Sequence, residues 1–547
     1  MSDKLGAQPK SSEEWQDLIR RIQDEHEEQI RGLTASLEKE RAEKIEYQNE
    51  ALKHFEEIQL LRRRIFGRRA EKLSEEDRRQ LLLFNEAEQI LLAQSSERPD
   101  EPTVEVRAHR RRKTGRKPLP SEIPRVETIH DISEQEKQCA CGQQMVRIGE
   151  EICEKLEVIP ARIRVRRHVR PKYACHACEG SGDEGRAAVR VAPAPVQLLP
   201  RSIASPALVA YIVVGKFCDS LPFYRQEKQF ARIGVDISRQ DMANWSVAVF
   251  QRLRPLRELL REQIRQGPLV QIDETTVQVM GEPGRANTSK SYMWVFLGGR
   301  AGQPVVEYQY HPSRSGKIPL EVLRGYRGFI QTDGYDGYRE LGSQPGIVHV
   351  GCWAHVRRKF FEAREVSTNK GSADAALSSI DSLFKIERTL RDENLTPDQF
   401  ARHRREQVQQ VLEKLSAWLE ERTSQVPPST ALGKAIGYAV GQWPKLIRYL
   451  DSPMLSPDNN ACERAIRPFV VGRKNWLLSG SPAGAEASAA WYSLIETAKL
   501  NGVEPYLYLC YVLSRLPDGD DPEEYRFLLP WSIPKESLLD FESGRLA

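Results

Sequence analysis

No run of about 18 apolar residues occurs anywhere in the 547-residue sequence, so none of it reads as a membrane-spanning helix. The opening residues, MSDKLGAQPKSSEEW, lack the charged-then-apolar layout of a secretory signal, and a cytoplasmic location is expected. Cysteine is sparse: nine in so long a chain, with four in two close pairs, argues against a disulfide framework and for metal binding. The other five read as free thiols. An excess of charge of one sign is nearly missing overall, since 81 Lys/Arg face 77 Asp/Glu, and that total points to no partner by itself. What is present is a soluble-protein composition, 40% hydrophobic and 29% charged, which argues against disorder throughout. The length implies three or four units at ~100–200 residues per domain.

The distribution of charge says more. Residues 101–175 hold 17 Lys/Arg against 11 Asp/Glu, a local balance of +6 that leaves −2 for the rest. A basic block in a near-neutral protein is the footprint of a nucleic-acid contact, and a solvated linker looks similar. From Ser12 to about Ala93 proline and glycine are almost missing. Leu18, Ile22, Ile30, Leu33, Leu37, Ile45, Leu52, Phe55 and Ile58 recur there at helical spacings, which predicts long amphipathic helices. A dimeric coiled coil is expected, although Ser36–Lys44 interrupts the seam and a self-folded helical hairpin is the alternative. Residues 95–125 read as a Pro-rich linker. Its Arg110, Arg111, Arg112, Lys113, Arg116 and Lys117 suit either a minor-groove arm or a solvated tether.

Cys139-Ala-Cys141 and Cys175-His-Ala-Cys178 are separated by 33 residues. Two thiolate pairs around a hairpin-length segment supply four soft ligands to one structural Zn²⁺, with His176 as a substitute ligand. Between them Ile163 and Val165 alternate with Arg162, Arg164 and Arg166. This predicts a strand whose guanidinium face meets phosphates, or an edge protected by charge. Helices are predicted at Pro206–Phe217, Phe223–Arg232 and Ser238–Leu253, with a turn at Ile233-Gly234 and a cap at Ser238. A helix-turn-helix would offer Arg239, Gln240 and Asn244 to a groove; a plain helical bundle gives the same pattern.

From Leu269 the texture turns to strands: LVQIDETTVQV, SYMWVFLGG, PVVEYQY, GFIQTD and GIVHVGC, with a helix at Ile318–Arg324. The series predicts a mixed sheet like that of ribonuclease H within a multidomain α/β protein. Asp273 lies in the first strand and Asp333 closes the fourth. Apolar parity is even at Val270 and Ile272 but odd at Val277 and Val279, so a β-bulge is predicted near Asp273. The third acid is read as Glu463 in SPDNNACERAIRP, on a helix started by Ser456-Pro457 with Asn459 and Asn460 in its first turn. Arg464, Arg467, Arg473 and Lys474 follow and suit phosphate. Glu274, Asp336 and Glu496 are the rival carboxylates. Cys352-Trp-Ala-His355 has no second close pair beside it, so it is read, with Asn460, as site-supporting and not as half of a zinc site.

Three carboxylates from separate elements suit Mg²⁺, with Mn²⁺ a substitute, because a hard cation wants few protein oxygens and open octahedral positions. Two such ions about 3.5–4 Å apart serve in-line displacement at phosphorus. Asp273 is expected to bridge them, with Asp333 and Glu463 each completing one shell.

Taken in order, LRRRIFGRRAEKLS, LLLFNEAE, GRKPLP, CACG, PKYACHAC, LPFYRQEKQFARIGVDISRQDMANW, QIDETTVQV, YMWVFLGG, QTDGYDGY, CWAHVRRKFFEA, DNNACERAIRPFVVGRKNW and SLIETAKLNG carry a resemblance. The chain resembles transposases of the insertion-sequence-66 family over most of its length. The resemblance implies a transposase that binds terminal inverted repeats and performs metal-dependent DNA cleavage and strand transfer, with its DDE site on Asp273, Asp333 and Glu463. It implies double-stranded DNA (transposon ends and target) as partner, a homodimer on DNA, small accessory proteins of the same element, and a bacterial, nucleoid-associated location. It also implies a helical insertion, which Phe400, Val408, Val411, Leu415 and Trp418 support by their spacing. The resulting plan runs as helical dimerisation region 1–95, basic linker 96–130, zinc ribbon 131–200, helix-turn-helix 201–262, catalytic core 263–364, insertion 365–455, catalytic core 456–515 and tail 516–547. A metal-dependent structure-specific nuclease on the same fold would use identical chemistry. A non-catalytic DNA-binding regulator would need residues 1–260 and none of the three acids.

Overall fold

A computed structural model of the protein describes residues 12–66, 104–106, 109–111, 163–174, 189–366 and 371–542. The chain divides into two units, Ile90–Val196 and the remainder.

In the smaller unit Val104–Val106 pairs antiparallel with His109–Arg111, inside the stretch predicted as plain linker, and Lys172–Ala174 pairs with Val189–Val191. The strand predicted over Arg162–Arg166 is corrected, because residues 163–171 form no regular element. Val165 is 92% exposed, and period-two patterning specifies a strand only where one face is covered. Arg164 and Arg166 are exposed as expected. Cys139, Cys141, Cys175, Cys178, Arg112, Lys113, Arg116, Lys117 and Arg162 lie outside the described residues, and Arg110 and Arg111 are described by their backbone alone.

The larger unit opens with one 55-residue helix, α1 (Ser12–Phe66), which runs unbroken through Ser36–Lys44. No proline breaks it, and a lone mid-helix glycine such as Gly32 costs only about 1 kcal/mol. Ile19, Ile30, Leu33, Leu37, Ile45, Phe55 and Ile58 stay exposed, while buried Glu56 accepts the Ala431 N–H at 2.9 Å. Helices α2 (Pro206–Phe217), α3 (Phe223–Arg232) and α4 (Arg239–Arg252) fall where the sequence predicts them. Ser238 Oγ caps α4 by accepting the Asp241 N–H at 3.1 Å. Gly234 turns the chain before it at φ +79°, a conformation that suits glycine. Ile212, Phe230, Ile237 and Met242 form a small core beneath. α5 (Arg254–Arg265) follows and buries Leu256, Leu259, Leu260 and Ile264.

Five strands build the central sheet: β1 (Leu269–Gln278), β2 (Lys290–Arg300), β3 (Gln303–His311), β4 (Gly328–Gln331) and β5 (Ile347–Val350). Their order is β3-β2-β1-β4-β5, antiparallel through the first three and parallel from β1 to β4 and β5. The bulge predicted near Asp273 is absent, since β1 pairs β2 in unbroken register from Gln271↔Leu297 to Gln278↔Lys290. The parity change has another cause. Val270, Gln271 and Ile272 are buried in succession, and a strand covered on both faces needs no alternation.

Helices α6 (Trp353–Val366), α7 (Gly371–Asp392), α8 (Pro397–Gln425) and α9 (Ala431–Leu446) follow β5. They close a second core around Phe360, Ile380, Val408, Leu415 and Ile436, so the insertion is helical as expected. The chain returns through α10 (Asn460–Trp476), α11 (Pro482–Leu500) and α12 (Pro505–Ser514). α11 protects the sheet edge: Ser493 Oγ and Thr497 Oγ1 accept the N–H groups of Tyr308 and Val306 on β3 at 2.8 and 3.1 Å. The expected tail is corrected as well, because Tyr525, Leu528 and Leu529 are buried in the main core. No helix among the described residues is long and apolar enough to cross a membrane.

Candidate active site

β1 and β4 run parallel with Gln271 opposite Gln331, and the Gln271 Nε2 donates to Gln331 Oε1 at 2.8 Å. Two residues beyond this pair, at equal offsets, stand Asp273 and Asp333. Neighbouring strands lie ~4.8 Å apart, so both acids stand side by side where β4 ends against the middle of β1, and the end of a parallel strand is where such sheets open a crevice. Asp273 Oδ1 accepts the Glu274 N–H, and Asp333 Oδ1 accepts the Tyr335 N–H, each at 2.9 Å.

Glu463 reaches the same place from the first turn of α10 and is 2% exposed. That helix begins at Asn460, four residues after the predicted start. The Ser456 carbonyl is taken by Gln331 Nε2 at 2.8 Å and the Pro457 carbonyl by the Trp353 N–H at 2.9 Å, so neither opens a helix. Asn459 Nδ2 donates to the Ile272 carbonyl at 3.0 Å and fastens the helix start beside Asp273. Buried Asn460 donates its N–H to Asp458 Oδ1 at 3.0 Å.

The electrostatics record the meeting of the three acids. Burial pushes the Asp273 carboxyl well above the ordinary range, Glu274, Glu463 and Asp333 push it further, and the Glu274 N–H partly offsets them. A crowd of carboxylates in a half-dry crevice is a charge imbalance that a divalent cation relieves.

Residues 201–487 match the family model described as Transposase IS66 family, more than half of the chain. The chain belongs to that family. Residues 493–531 of this IS66 family member match the IS66 C-terminal element, residues 136–179 the zinc-finger binding domain of transposase IS66, and residues 55–128 the model described as Transposase C of IS166 homeodomain. Two similar proteins come from Sinorhizobium fredii (strain NBRC 101917 / NGR234). Uncharacterized protein y4jD is 33% identical over 490 residues, covering 87% of this chain and 93% of its own. Uncharacterized protein y4qI is 32% identical over 453 residues, covering 79% and 82%.

The rival acids of this family member have other occupations. Glu274 receives Arg314 Nε at 2.6 Å and the Tyr338 hydroxyl. Asp336 has a side chain 85% exposed and pairs with Arg339 at 2.7 Å. Glu496 sits beside Tyr308 at the β3 edge and pairs with Lys499 at 2.8 Å.

Cys352, one residue before α6, and His355 in its first turn stand at the acids. The Cys352 Sγ accepts the Asn459 N–H at 3.3 Å, and His355 Nδ1 lies 3.7 Å from Glu463 Oε1. Burial pushes the Cys352 thiol well up. Burial also lowers His355 to about 4 against the opposing pull of Asp333, so its ring is neutral at pH 7.

Two positioning residues escaped the sequence reading. The Tyr438 hydroxyl on α9 accepts the Gly334 N–H at 3.1 Å, next to Asp333. Arg404, wholly buried on α8, donates to the carbonyls of Tyr449, Ser452 and Leu455 at 2.9, 2.6 and 3.0 Å, holding the segment that leads to α10. An arginine between Phe400 and Val408 on an apolar stripe was the available signal for the second. For Tyr438 nothing local pointed to Asp333.

Of the expected DNA contacts, Arg239, Gln240 and Asn244 are exposed along α4, with Gln240 Nε2 donating to Asn244 Oδ1 at 2.9 Å. On α10 Lys474 is exposed and Arg467 half-buried. Arg473 departs from its expected place on the surface. It is buried, and its Nη1 donates to Thr275 Oγ1 at 3.3 Å and Thr276 Oγ1 at 3.2 Å, fastening α10 to β1.

Proposed function

We propose that this IS66 family member is a DNA transposase that binds the terminal inverted repeats of an insertion sequence and performs metal-dependent cleavage and strand transfer on a ribonuclease H-like core. The observation that carries the reading is the crowding of Asp273 by Asp333 and Glu463 where β4 ends against the middle of β1. The strand order β3-β2-β1-β4-β5 supports the fold assignment.

The donor set fits Mg²⁺ or Mn²⁺: three hard oxygens from three elements leave positions for water and phosphate. Asp273, which feels both other acids, would hold the metal together with Asp333 and Glu463. When bound, the ions supply Lewis-acid polarisation of a phosphoryl oxygen and neutralise charge on the attacking and leaving oxygens. The chain's own groups do the remainder. The N–H groups of Glu274 and Tyr335 fix the two aspartate carboxylates, and Asn459 and Arg473 lock α10 to the strand that bears Asp273. Arg464 and Lys474 are exposed on α10 for phosphate. Arg239, Gln240 and Asn244 serve groove contact. Cys139, Cys141, Cys175 and Cys178 are assigned one structural Zn²⁺, which four thiolates suit. The exposed apolar residues of α1 support a homodimer.

The test is incubation of the purified protein with labelled terminal-repeat DNA, target DNA and Mg²⁺. Joined product is expected. Nicking without joining would make the protein a nuclease, and retention without cleavage a regulator; either outcome overturns the reading.

A further inference from the structure

The starts of α6 and α10 are sewn together by two hydrogen bonds from backbone N–H groups, Trp353 N–H to the Pro457 carbonyl at 2.9 Å and Asn459 N–H to the Cys352 side-chain Sγ at 3.3 Å. Their union brings one sulfur, one imidazole nitrogen and one carboxylate oxygen, from Cys352, His355 and Glu463, within 4.8 Å of one another. We propose that these three residues form a separate site for a borderline-soft divalent ion of the Zn²⁺ or Co²⁺ class, and that filling it withdraws Glu463 from the magnesium ligands.

Distance and chemistry both carry this. Ligands bound at ~2.0–2.3 Å to one tetrahedral ion stand about 3.4–3.6 Å apart. His355 Nδ1 and Glu463 Oε1 are 3.7 Å apart and all three donor atoms lie within 4.8 Å, so movements of about 1 Å bring them to an ion. The buried Nδ1 has no hydrogen-bond partner among the described residues, a cost that a metal–nitrogen bond removes. Magnesium prefers all-oxygen surroundings, whereas thiolate and imidazole together select zinc or cobalt. The sequence argument against zinc at Cys352-Trp-Ala-His355 was the missing second pair. A distant glutamate supplies the third ligand instead, and water can take the fourth position. As the Sγ–metal bond forms, the Cys352 thiol proton leaves to solvent. The Asn459 N–H and the N-terminus of α6 favour the resulting thiolate.

The site itself stands on this geometry alone, while its effect on catalysis rests on the proposed function. A carboxylate can bridge two ions, so the competition is one of position: a Glu463 drawn toward Cys352 and His355 is held away from Asp273 and Asp333. Zinc at Cys352 and His355 therefore holds the catalytic edge in a resting form.

The full-length protein, grown with Zn²⁺, is analysed for bound metal beside Cys352→Ser and His355→Asn. Each variant is expected to lose one ion per chain, and with Co²⁺ the wild type shows a thiolate-to-cobalt absorption component that Cys352→Ser lacks. Having both variants guards against misfolding of one. Equal metal content and identical cobalt spectra in all three overturn the site. Added Zn²⁺ should inhibit magnesium-driven joining by the wild type and not by Cys352→Ser; equal inhibition overturns the sharing of Glu463. Joined product with equal metal content would sink this inference and leave the proposed function standing, whereas an extra ion without joined product would do the reverse.

Discussion

Glu307 on β3 and Asp273 on β1 are carboxylates of one sheet, two strands apart, and the chain surrounds them differently. Glu307, wholly buried, receives Arg257 Nη2 at 2.7 Å and Arg261 Nε at 2.9 Å from α5. Arg257 also donates to the Tyr308 carbonyl at 3.0 Å. Asp273 meets three further carboxylates instead, and burial first, then those neighbours, raise its proton affinity. The first acid has its counter-charge built into the fold; the second, on the proposed reading, takes it from a bound cation. Burial alone does not distinguish a structural acid from a catalytic one, but the sign of its neighbours does.

The sharpest way to break that contrast is Asp273→Asn. Cleavage and joining should fall by about 10³-fold or more, the scale on which metal-bound transition states lose several kcal/mol. Terminal-repeat DNA should still be retained in a gel, and thermal stability should hold or rise because a crowded charge has gone. Persistent cutting, or loss of DNA retention as well, would remove Asp273 from its assigned role.

Arg257→Ala probes the other member. Glu307 keeps only Arg261, whose side chain is 29% exposed, and breaking a buried pair costs about 3 kcal/mol or more. Urea denaturation should show a lower midpoint of roughly that free energy, with DNA retention unchanged below the transition. A variant as stable as the parent would mean that Glu307 does not need its arginine, and the comparison would fail.

The sequence announced these two acids unequally. Asp273 was legible because a carboxylate in QIDETTVQV interrupts an apolar strand, and the strands themselves were legible from short β-type runs between glycine and proline breaks. Glu307 in PVVEYQY interrupts an apolar strand just as plainly; the family resemblance singled out Asp273, and the arginines that occupy Glu307 lie on α5, earlier in the chain. The misread features share that cause. The parity change at Asp273 predicts a bulge from sequence because cover on both faces is not a local property. Ser456-Pro457 looked like a helix start until Gln331 and Trp353 claimed its carbonyls. Arg473 looked like a surface cation because its two threonine partners are on β1. Capping and turn signals were read well at Ser238 and Gly234, where every participant lies within a few residues.

Glu496 offers the smallest and most discriminating test of the contrast, because it is a buried acid with one counter-charge, Lys499 at 2.8 Å. Burial raises its proton affinity and Lys499 only partly opposes this. A glutamate so raised contributes stability that is fully present below its ordinary value of ~4.3 and is lost as pH rises through the higher folded value. Glu496→Gln mimics the protonated form, so at pH 7 it should match or slightly exceed the parent, by under about 1 kcal/mol. That advantage should shrink as pH falls toward 4, when the parent takes up its proton. Thermal denaturation of both proteins from pH 4 to 8 reads the sign directly. Joining should be unchanged in the same variant, since Glu496 lies at the β3 edge and not among Asp273, Asp333 and Glu463. A loss of joining comparable to that of Asp273→Asn would transfer the third catalytic carboxylate from α10 to α11.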